Sequence, residues 1–348
     1  MMEINSIHFY VTDAIRTSNW LRQKLGFQVV DRYQDTDSLT IAVAYNSILL
    51  VVSAPLSDRS SVARYLANHA EGVFDLSLRV DNLQVFNHRY SYPIQRSQGI
   101  NYALVQGWDG LQHSLVASSQ QDRTFILPNS KLRVVGRWKT DRQDVFHWQG
   151  VDHAVLNVPQ GELLSAVDYY QELFDWQVQQ TFDITTERSG LFSQALSDAT
   201  GGVRFNINEP TTSNSQIQQF LDLNRGSGIQ HLALQSQDLV LDVQQMRDRQ
   251  VEFLTTPTVY YARLKEKLQF SNLAFCDREL HQLAQQQILL DWRPNCPQSY
   301  LRQIFTKPIF AQPTFFLEFI ERQPQAQGFG KGNFQALFAA VEQEQLTY

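Results

Sequence analysis

Apolar and polar positions follow the same order at two places along the chain. Residues 4–30 begin with an alternating stretch that predicts a half-buried strand, and a loop and an apolar stripe at helical spacing follow it. Residues 150–179 repeat this order of strand, loop and amphipathic helix. Both stretches then enter a segment rich in β-forming residues, so the pattern predicts one structural module that is used twice.

A second pair of segments repeats a related pattern. Residues 72–90 and residues 228–249 each contain an alternating strand, a turn with Asp and a helical stretch. The sequence therefore predicts an α+β fold of four repeated βαβββ-type modules, two in each half of the chain. We expect the boundary between the halves in the polar, Arg-rich segment 128–149.

The end of the chain predicts a further helix. Three glycines precede it, and apolar residues then recur at helical spacing at Phe334, Leu337, Phe338 and Val341. If this stripe packs over a pocket in the second half, it excludes water in the manner of an active-site lid. The alternative is a terminal helix that only caps the domain.

Composition limits the classes of function. The chain has 348 residues, of which 43% are hydrophobic, enough for two packed domains. The net charge of −6 argues against nucleic-acid binding. No apolar run is long enough to span a membrane, the N-terminus lacks a signal-peptide pattern, and Cys276 and Cys296 have no zinc-site spacing. We expect a cytoplasmic protein that binds neither nucleic acid nor membranes.

Three polar residues stand in the middle of apolar strands of the second half. His153 lies in VDHAVLNV, His231 in IQHLALQ and Glu318 in FFLEFIE, each in a separate module. If the modules curl around one cavity, one inward position per strand brings the three side chains together. Two His and one carboxylate on one face form the facial triad of non-haem Fe(II) sites, and the absence of thiolate ligands argues against structural zinc.

Each of these residues also has an ordinary explanation when it is taken alone. Glu318 could lie on the solvated face of an edge strand, and a single His on an apolar strand is more often a core residue than a ligand. In the first half the matching positions hold His8, Asp75 and the neighbourhood of Ser114 and Leu115, so a third ligand is missing. We therefore expect a first half without metal, in which His8 is a hydrogen-bonded core or surface residue.

The second half also contains a series of longer motifs. In chain order they are VDHAVLNVP, RSGLFSQAL, INEP, SQIQQFLDLNRGSGIQHLAL, VEFLTTPTVYY, QIFTKP, FFLEFIER and QGFGKGNFQALFAAVEQEQ. They resemble the 4-hydroxyphenylpyruvate dioxygenase family of the vicinal-oxygen-chelate superfamily, clearly over residues 150–348 and weakly before. The resemblance implies two open-barrel domains: a degenerate, metal-free domain at 1–140 and a catalytic domain at 150–348, with the C-terminal helix over the second barrel.

The resemblance also implies a reaction and a site. Fe(II) held by His153, His231 and Glu318 would convert 4-hydroxyphenylpyruvate, an aromatic 2-oxo acid, and O2 to homogentisate and CO2. The steps are decarboxylation, ring hydroxylation and migration of the side chain. The resemblance implies a polar network at the phenol end, formed by Ser193, Asn208 and Gln216, and two pocket amides, Gln230 and Gln303. It implies that Phe305 and Phe334 sandwich the aromatic ring, and that Phe329 and Asn333 form the hinge and the start of the terminal helix.

Two other functions are compatible with this pattern. Hydroxymandelate synthase shares the iron ligands and the substrate but hydroxylates the benzylic carbon. Metal-free binding proteins of the same superfamily sequester aromatic or antibiotic ligands, and they have no need of a carboxylate such as Glu318 buried among phenylalanines. The family often forms dimers or tetramers, so we expect a homo-oligomer, and the product would serve tyrosine catabolism or the synthesis of prenylquinones and tocopherol.

Overall fold

The computed structural model describes most of the 348-residue chain. The described residues are 2–85, 92–117, 123–135, 146–186, 189–271, 273, 275–292, 299–323, 326, 328, 330, 332–333 and 336. Within these residues the chain forms two sheets of eight strands and one two-stranded hairpin, together with helices that pack against them. None of the helices in these ranges is both long and apolar enough to cross a membrane.

The first sheet contains the strands of the first half of the chain. Its elements are β1 (Met2–Tyr10), α1 (Ala14–Leu25), β2 (Gln28–Gln34), β3 (Ser38–Tyr45), β4 (Ile48–Pro55), α2 (Ser61–Asn68), β5 (Gly72–Val80), β6 (Gln95–Ser97), β7 (Ile100–Gln106) and β8 (Gln112–Ala117). The strand order is β2-β3-β4-β1-β5-β8-β7-β6. The central strand β1 runs parallel to β4 and antiparallel to β5.

The second sheet repeats this arrangement. After the hairpin strands β9 (Arg123–Ile126) and β10 (Leu132–Val135), its elements are β11 (Trp148–Asn157), α3 (Leu163–Phe174), β12 (Gln177–Thr185), β13 (Gly190–Ser197), β14 (Arg204–Pro210), α4 (Gln216–Asn224), β15 (Gly228–Ser236), α5 (Leu239–Asp248), α6 (Thr258–Gln269), α7 (Asp277–Gln286), β16 (Leu289–Trp292), β17 (Tyr300–Phe305) and β18 (Phe316–Gln323). The order β12-β13-β14-β11-β15-β18-β17-β16 matches the first sheet strand by strand. The predicted fold of four repeated modules in two open barrels is confirmed.

Two predicted helices fall largely outside the described residues. Most of the helix expected at the end of residues 72–90 falls on residues 86–90, which are not described; residues 84–85 are described and are helical. Of the predicted C-terminal helix, residues 332–333 and 336 are described and are helical. Phe334, Leu337, Phe338 and Val341, whose spacing predicted it, lie outside the described residues, so the expected lid stays a prediction.

Local sequence explains where the helices begin and end. Asp13 precedes α1, and its carboxylate accepts a hydrogen bond from the Arg16 amide at 2.9 Å, which satisfies a free donor at the helix start. The helix ends at Gly26, which adopts φ +78°. A Cβ at this position would lie 2.9 Å from the ring of Phe146, so glycine is needed for the backbone conformation and for the close packing.

Trp148 joins the two halves of the molecule. Its fully buried ring stacks against Phe146 with a centroid distance of 5.0 Å and against Phe319 of β18 at 4.8 Å. Its Nε1–H donates to the carbonyl of Leu25, at the end of α1, at 3.0 Å. The start of β11 is therefore anchored to a helix of the first half and to a strand of the second.

The β9–β10 hairpin covers one face of the first sheet. We call this face, which carries His8 and its register partner Val51, the inner face. Apolar side chains of the hairpin pack with residues of β3 and β4 in one buried cluster; its members are Ala42, Ala44, Leu49, Val51, Phe125, Leu127 and Val135. The side chain of Asn5 donates to the Thr124 carbonyl at 2.7 Å. The space that a ligand would occupy on this face therefore holds a segment of the chain itself.

Strand register corrects one predicted correspondence. His8 is paired with Asp75 across β1 and β5, and Val155 is paired with His231 across β11 and β15. His8 therefore corresponds to Val155, and Ser6 corresponds to His153. The predicted match of His8 with His153 is wrong by two residues, because alternation in a strand specifies the face of a side chain but not its position along the strand.

His8 and the other first-half positions have hydrogen-bonding partners. The ring of His8 is buried, and its Nε2 lies 2.7 Å from Ser53 Oγ, as expected for a core histidine. Ser114 corresponds to Glu318 by register, and its Oγ donates to Asp75 at 2.5 Å. The three positions that correspond to the candidate ligands are thus Ser6, Asp75 and Ser114.

Asp75 should make the stability of the protein depend on pH. Burial raises its pKa from 3.8 to about 7, although hydrogen bonds from Ser114 oppose the shift. The folded state then retains a proton that the unfolded chain releases, so stability falls as the pH rises from about 4 to about 7, by roughly 1.4 kcal/mol per unit. We expect Asp75→Asn to stabilise the protein by about 2 to 3 kcal/mol more at pH 8 than at pH 5. Urea unfolding of both proteins at the two pH values measures this difference, and an equal effect at both would contradict it.

Candidate metal centre

The three candidate ligands lie on neighbouring strands of the second sheet. His153 is on β11, His231 on β15 and Glu318 on β18. Ala233 of β15, the middle one of these three strands, is the register partner of both His153 and Glu318, so these two ligands flank a small side chain at one level of the sheet. The adjacent residue Leu232 belongs to the main hydrophobic core, so the ligands project from the opposite, inner face of this sheet.

The side chains of the three residues meet in a buried cluster. One Glu318 oxygen, Oε2, lies 3.2 Å from His153 Nε2 and 3.5 Å from His231 Nε2. One ligand atom from each residue lies within 4.8 Å of the others. Each residue is less than 5% exposed, at 3%, 4% and 2% in chain order. Glu318 is therefore not a solvated residue of an edge strand, and the structure brings together the side chains predicted to converge.

Electrostatics keeps the carboxylate of this cluster ionised. Burial alone would raise the pKa of Glu318, but the imidazoles of His153 and His231 outweigh burial and hold it at about 2. Burial lowers the pKa of His231. For His153 burial acts in the same direction, but the charges of Glu318 and Asp152 outweigh it and raise the pKa to about 9. The cluster therefore carries one buried anionic donor beside two imidazoles.

Neighbouring polar groups orient two of the three ligands. His153 Nδ1 lies 2.8 Å from Asp152 Oδ1, which leaves Nε2 directed at the cluster. The amide of Gln303 donates to Glu318 Oε1 at 2.8 Å, so Oε2 is the oxygen left for a metal. The resemblance implied Gln303 as a pocket residue, whereas Asp152 was not among the predicted site residues.

The third ligand is held by packing. The ring of His231 stacks on Phe316 with a centroid distance of 4.7 Å and lies 6.4 Å from the ring of Phe305. Among the described residues, its Nδ1 has no hydrogen-bond partner. Gln230 occupies a bulge of β15 that leaves it without a register partner on β11, and bulges beside active sites often redirect a side chain.

A second group of predicted residues lies farther along the inner face. Ser193 and Asn208 are register partners on β13 and β14, and Gln216 begins α4, whose apolar residues pack against β13. Asn208 Nδ2 donates to Asn157 Oδ1 at 3.2 Å. Asn157 is four residues after His153 on β11, roughly 13 Å along the strand. Asn157 was not among the predicted site residues, although its alternate spacing from His153 places it on the same face of the strand.

These polar residues have unused hydrogen-bonding atoms. Ser193 Oγ, Asn208 Oδ1 and Gln216 Oε1 are buried and have no partner among the described residues. Buried polar atoms are nearly always paired, so a set of unpaired ones on one face is typical of a site that receives a polar ligand group.

The aromatic and C-terminal residues implied by resemblance are only partly described. Phe305 is buried at the end of β17. Asn333 Nδ2 donates to Gln303 Oε1 at 2.7 Å, which connects the C-terminal segment to Glu318 through one amide. Phe329 and Phe334 lie outside the described residues, so the pair of rings around the substrate and the hinge at Phe329 stay predictions.

A cavity of about 810 Å³ opens between the two edges of the second sheet. Thr186 follows one edge strand, β12, and Leu290 belongs to the other, β16, and both line the cavity. Arg263 and Lys267 of α6 line it as well. Asn333 also faces this space, so the cavity lies two side-chain hydrogen bonds from Glu318.

The donor set fits a divalent iron ion. Imidazole nitrogen and carboxylate oxygen are ligands that suit Fe(II), and three protein donors on one face leave coordination positions for other molecules. The ionised state of Glu318 supplies the negative charge that a buried dication requires. His153, His231 and Glu318 are thus the residues that would hold the metal.

Comparison with known proteins gives the family. Residues 150–268 match the model of the Glyoxalase/Bleomycin resistance protein/Dioxygenase superfamily. The chain is 36% identical over 351 residues to an uncharacterized protein of Synechocystis sp., covering 98% of this chain and 97% of that protein. It is 31% identical over 364 residues to 4-hydroxyphenylpyruvate dioxygenase of Caenorhabditis elegans, covering 97% of this chain and 91% of the relative.

Solved structures agree with this grouping. A triple mutant of 4-hydroxymandelate synthase from Streptomyces coelicolor superimposes with a TM-score of 0.83 at 27% identity, covering 99% of this chain and 98% of that one. The similarity to the dioxygenases spans nearly the whole chain, including the first half, where the motifs alone supported only a weak resemblance. The chain therefore belongs to the 4-hydroxyphenylpyruvate dioxygenase family of the vicinal-oxygen-chelate superfamily.

Proposed function

We propose that the protein is an Fe(II)-dependent dioxygenase that converts 4-hydroxyphenylpyruvate and O2 to homogentisate and CO2. The observation that carries this proposal is the convergence of His153, His231 and Glu318 in a buried cluster. A metal-free binding protein has no use for an ionised, buried carboxylate between two imidazoles. In this proposal residues 150–348 form the catalytic domain and residues 1–140 a domain without metal.

Different residues of the chain would bind the two ends of the substrate. When bound, Fe(II) supplies coordination positions for the 2-oxo acid and the redox chemistry that O2 requires. Ser193, Asn208 and Gln216 offer unpaired polar atoms for the phenol hydroxyl. Phe305 gives an apolar wall beside His231, and the burial of the cluster keeps water away from the reacting atoms. Phe334, Phe329 and the expected dimer or tetramer remain predictions.

The second candidate function is hydroxymandelate synthesis. It is favoured by the structural similarity to 4-hydroxymandelate synthase, which extends over 99% of this chain. Because the ligand set supports either reaction, the difference must lie in how the pocket aims the substrate ring at the oxidant.

Product analysis separates the candidate functions. The protein loaded with Fe(II) is supplied with 4-hydroxyphenylpyruvate, O2 uptake is recorded, and the products are separated by chromatography. We expect one CO2 and one homogentisate for each O2 consumed. Formation of 4-hydroxymandelate would support the second candidate, and binding of the substrate without O2 uptake would reject both in favour of a binding protein.

A further inference from the structure

Arg322 lies in the second barrel and donates hydrogen bonds from all three nitrogens of its guanidinium group. Its side chain is 6% exposed, and Nε and Nη2 donate to the two oxygens of Asp152, each at 2.6 Å. Its Nη1 donates to the carbonyls of Ala326 and Gly328 at 3.1 and 2.8 Å. A paired, two-point contact between guanidinium and carboxylate is among the strongest and most directional hydrogen-bond arrangements in proteins.

The same carboxylate contacts a metal ligand. Asp152 Oδ1, which accepts from Arg322, also lies 2.8 Å from His153 Nδ1. The Asp152 side chain is fully buried, so its charge needs a cation, and Arg322 is the nearest. Arg204, at 3.6 Å from Asp152 Oδ2 and 32% exposed, makes a weaker contact. The contact with Asp152 orients the His153 ring so that Nε2 faces Glu318 Oε2, 3.2 Å away, in the candidate metal cluster.

Among the described residues, neither of the other two ligands is oriented by an ion pair that includes an arginine or a lysine. Glu318 is held by the neutral amide of Gln303. His231 stacks on Phe316, and its Nδ1 has no partner among the described residues. Among the described residues, a buried arginine–carboxylate pair therefore orients only one of the three ligands, His153.

We propose that Arg322 is a positioning residue for the metal site: acting through Asp152, it fixes the ring orientation of His153 and connects this ligand to Ala326 and Gly328. This inference rests on the metal site of the proposed function. It assigns Arg322 a role in metal affinity beyond its contribution to folding. Because Ala326 and Gly328 accept hydrogen bonds from the same guanidinium, one side chain contacts both these two residues and the carboxylate that orients His153.

The affinity for added Co(II), measured on protein prepared without metal, tests the inference independently of turnover. Arg322→Met should weaken Co(II) binding by about 10- to 100-fold, the usual effect of removing a group that orients a ligand. Arg322→Lys keeps the charge but loses the two-point contact, so we expect an intermediate loss of about 3- to 10-fold. The dissociation constants come from titration followed by the visible spectrum of Co(II), which also reports the coordination geometry.

Arg302→Met is the matched control. Arg302 on β17 forms an ion pair of 3.2 Å with buried Glu321, and this pair does not contact the metal cluster. Arg302→Met should lower the free energy of unfolding in urea, as Arg322→Met does. Its dissociation constant for Co(II) should stay within twofold of that of the unchanged protein. If the affinity of Arg322→Met is also within twofold, the inference is wrong.

Two further measurements complete the test. If Arg322→Met does not fold, the Lys variant decides, because unchanged Co(II) affinity in that variant would overturn the inference. In a double-mutant cycle, Asp152→Asn and Arg322→Met should not be additive in Co(II) affinity, because Arg322 acts through Asp152. Additive losses would contradict that route. If the variants lose Co(II) affinity as expected but the unchanged protein loaded with Fe(II) does not turn over 4-hydroxyphenylpyruvate, the positioning role is retained and the proposed reaction is rejected.

Discussion

Glu318→Ala is expected to abolish turnover of 4-hydroxyphenylpyruvate and to weaken metal binding by more than about 100-fold, since even groups that only orient a ligand contribute 10- to 100-fold. Glu318 is the anionic member of the triad, with a pKa held at about 2, and it touches both imidazoles. Its loss leaves two neutral donors for a dication in a buried site. O2 uptake and a Co(II) titration measure the two effects.

Controls for this variant come from the same strand. Glu318→Gln keeps the shape of the side chain and removes its charge, so a comparable loss would assign the effect to the charge. Glu321→Ala removes another buried carboxylate of β18, one that pairs with Arg302 instead of facing the histidines. It should cost stability but retain metal binding. More than a tenth of the original O2 uptake in Glu318→Ala would contradict the assigned role.

Trp148→Ala is expected to lower the free energy of unfolding by about 3 to 5 kcal/mol, the usual cost of removing a large buried ring. The ring is sandwiched between Phe146 and Phe319, and its Nε1 hydrogen bond to Leu25 adds about 1 kcal/mol. Trp20→Ala, which removes a tryptophan that is only partly buried, is the control and should cost less. Urea unfolding measures both, and a loss below about 1.5 kcal/mol for Trp148→Ala would show that the ring does not join the halves.

The repeated architecture could be predicted because each module carries its own hydrophobic pattern. Alternation in the strands and helical spacing in the stretch that follows are local properties of the sequence. Because the pattern occurs four times, each occurrence supports the prediction of the others. The ligands could be predicted because a carboxylate in the run 315–321 is costly to bury unless it is paired. The same periodicity placed His8 on the correct face of its strand. It could not specify the position of His8 along the strand relative to His153, which depends on strand register and bulges.

Other parts of the site depend on contacts between distant segments. Asp152 and Arg322 are 170 residues apart, and single-sequence patterns do not show that they pair. A weak signal existed, because Arg322 falls at the alternate positions from Glu318 that share one face of a strand. The filling of the first inner face by β9 and β10 depends likewise on tertiary packing, here of Phe125 and Leu127 against β3 and β4.

The most direct test of the central claim is the location of a bound metal ion. Anomalous diffraction from crystals of the Co(II)- or Fe(II)-loaded protein gives this position without reference to turnover. We predict one ion about 2.0 to 2.2 Å from His153 Nε2, His231 Nε2 and Glu318 Oε2, the usual range for such donors. An ion bound elsewhere, or one that leaves any of these three atoms beyond about 3 Å, would contradict the account.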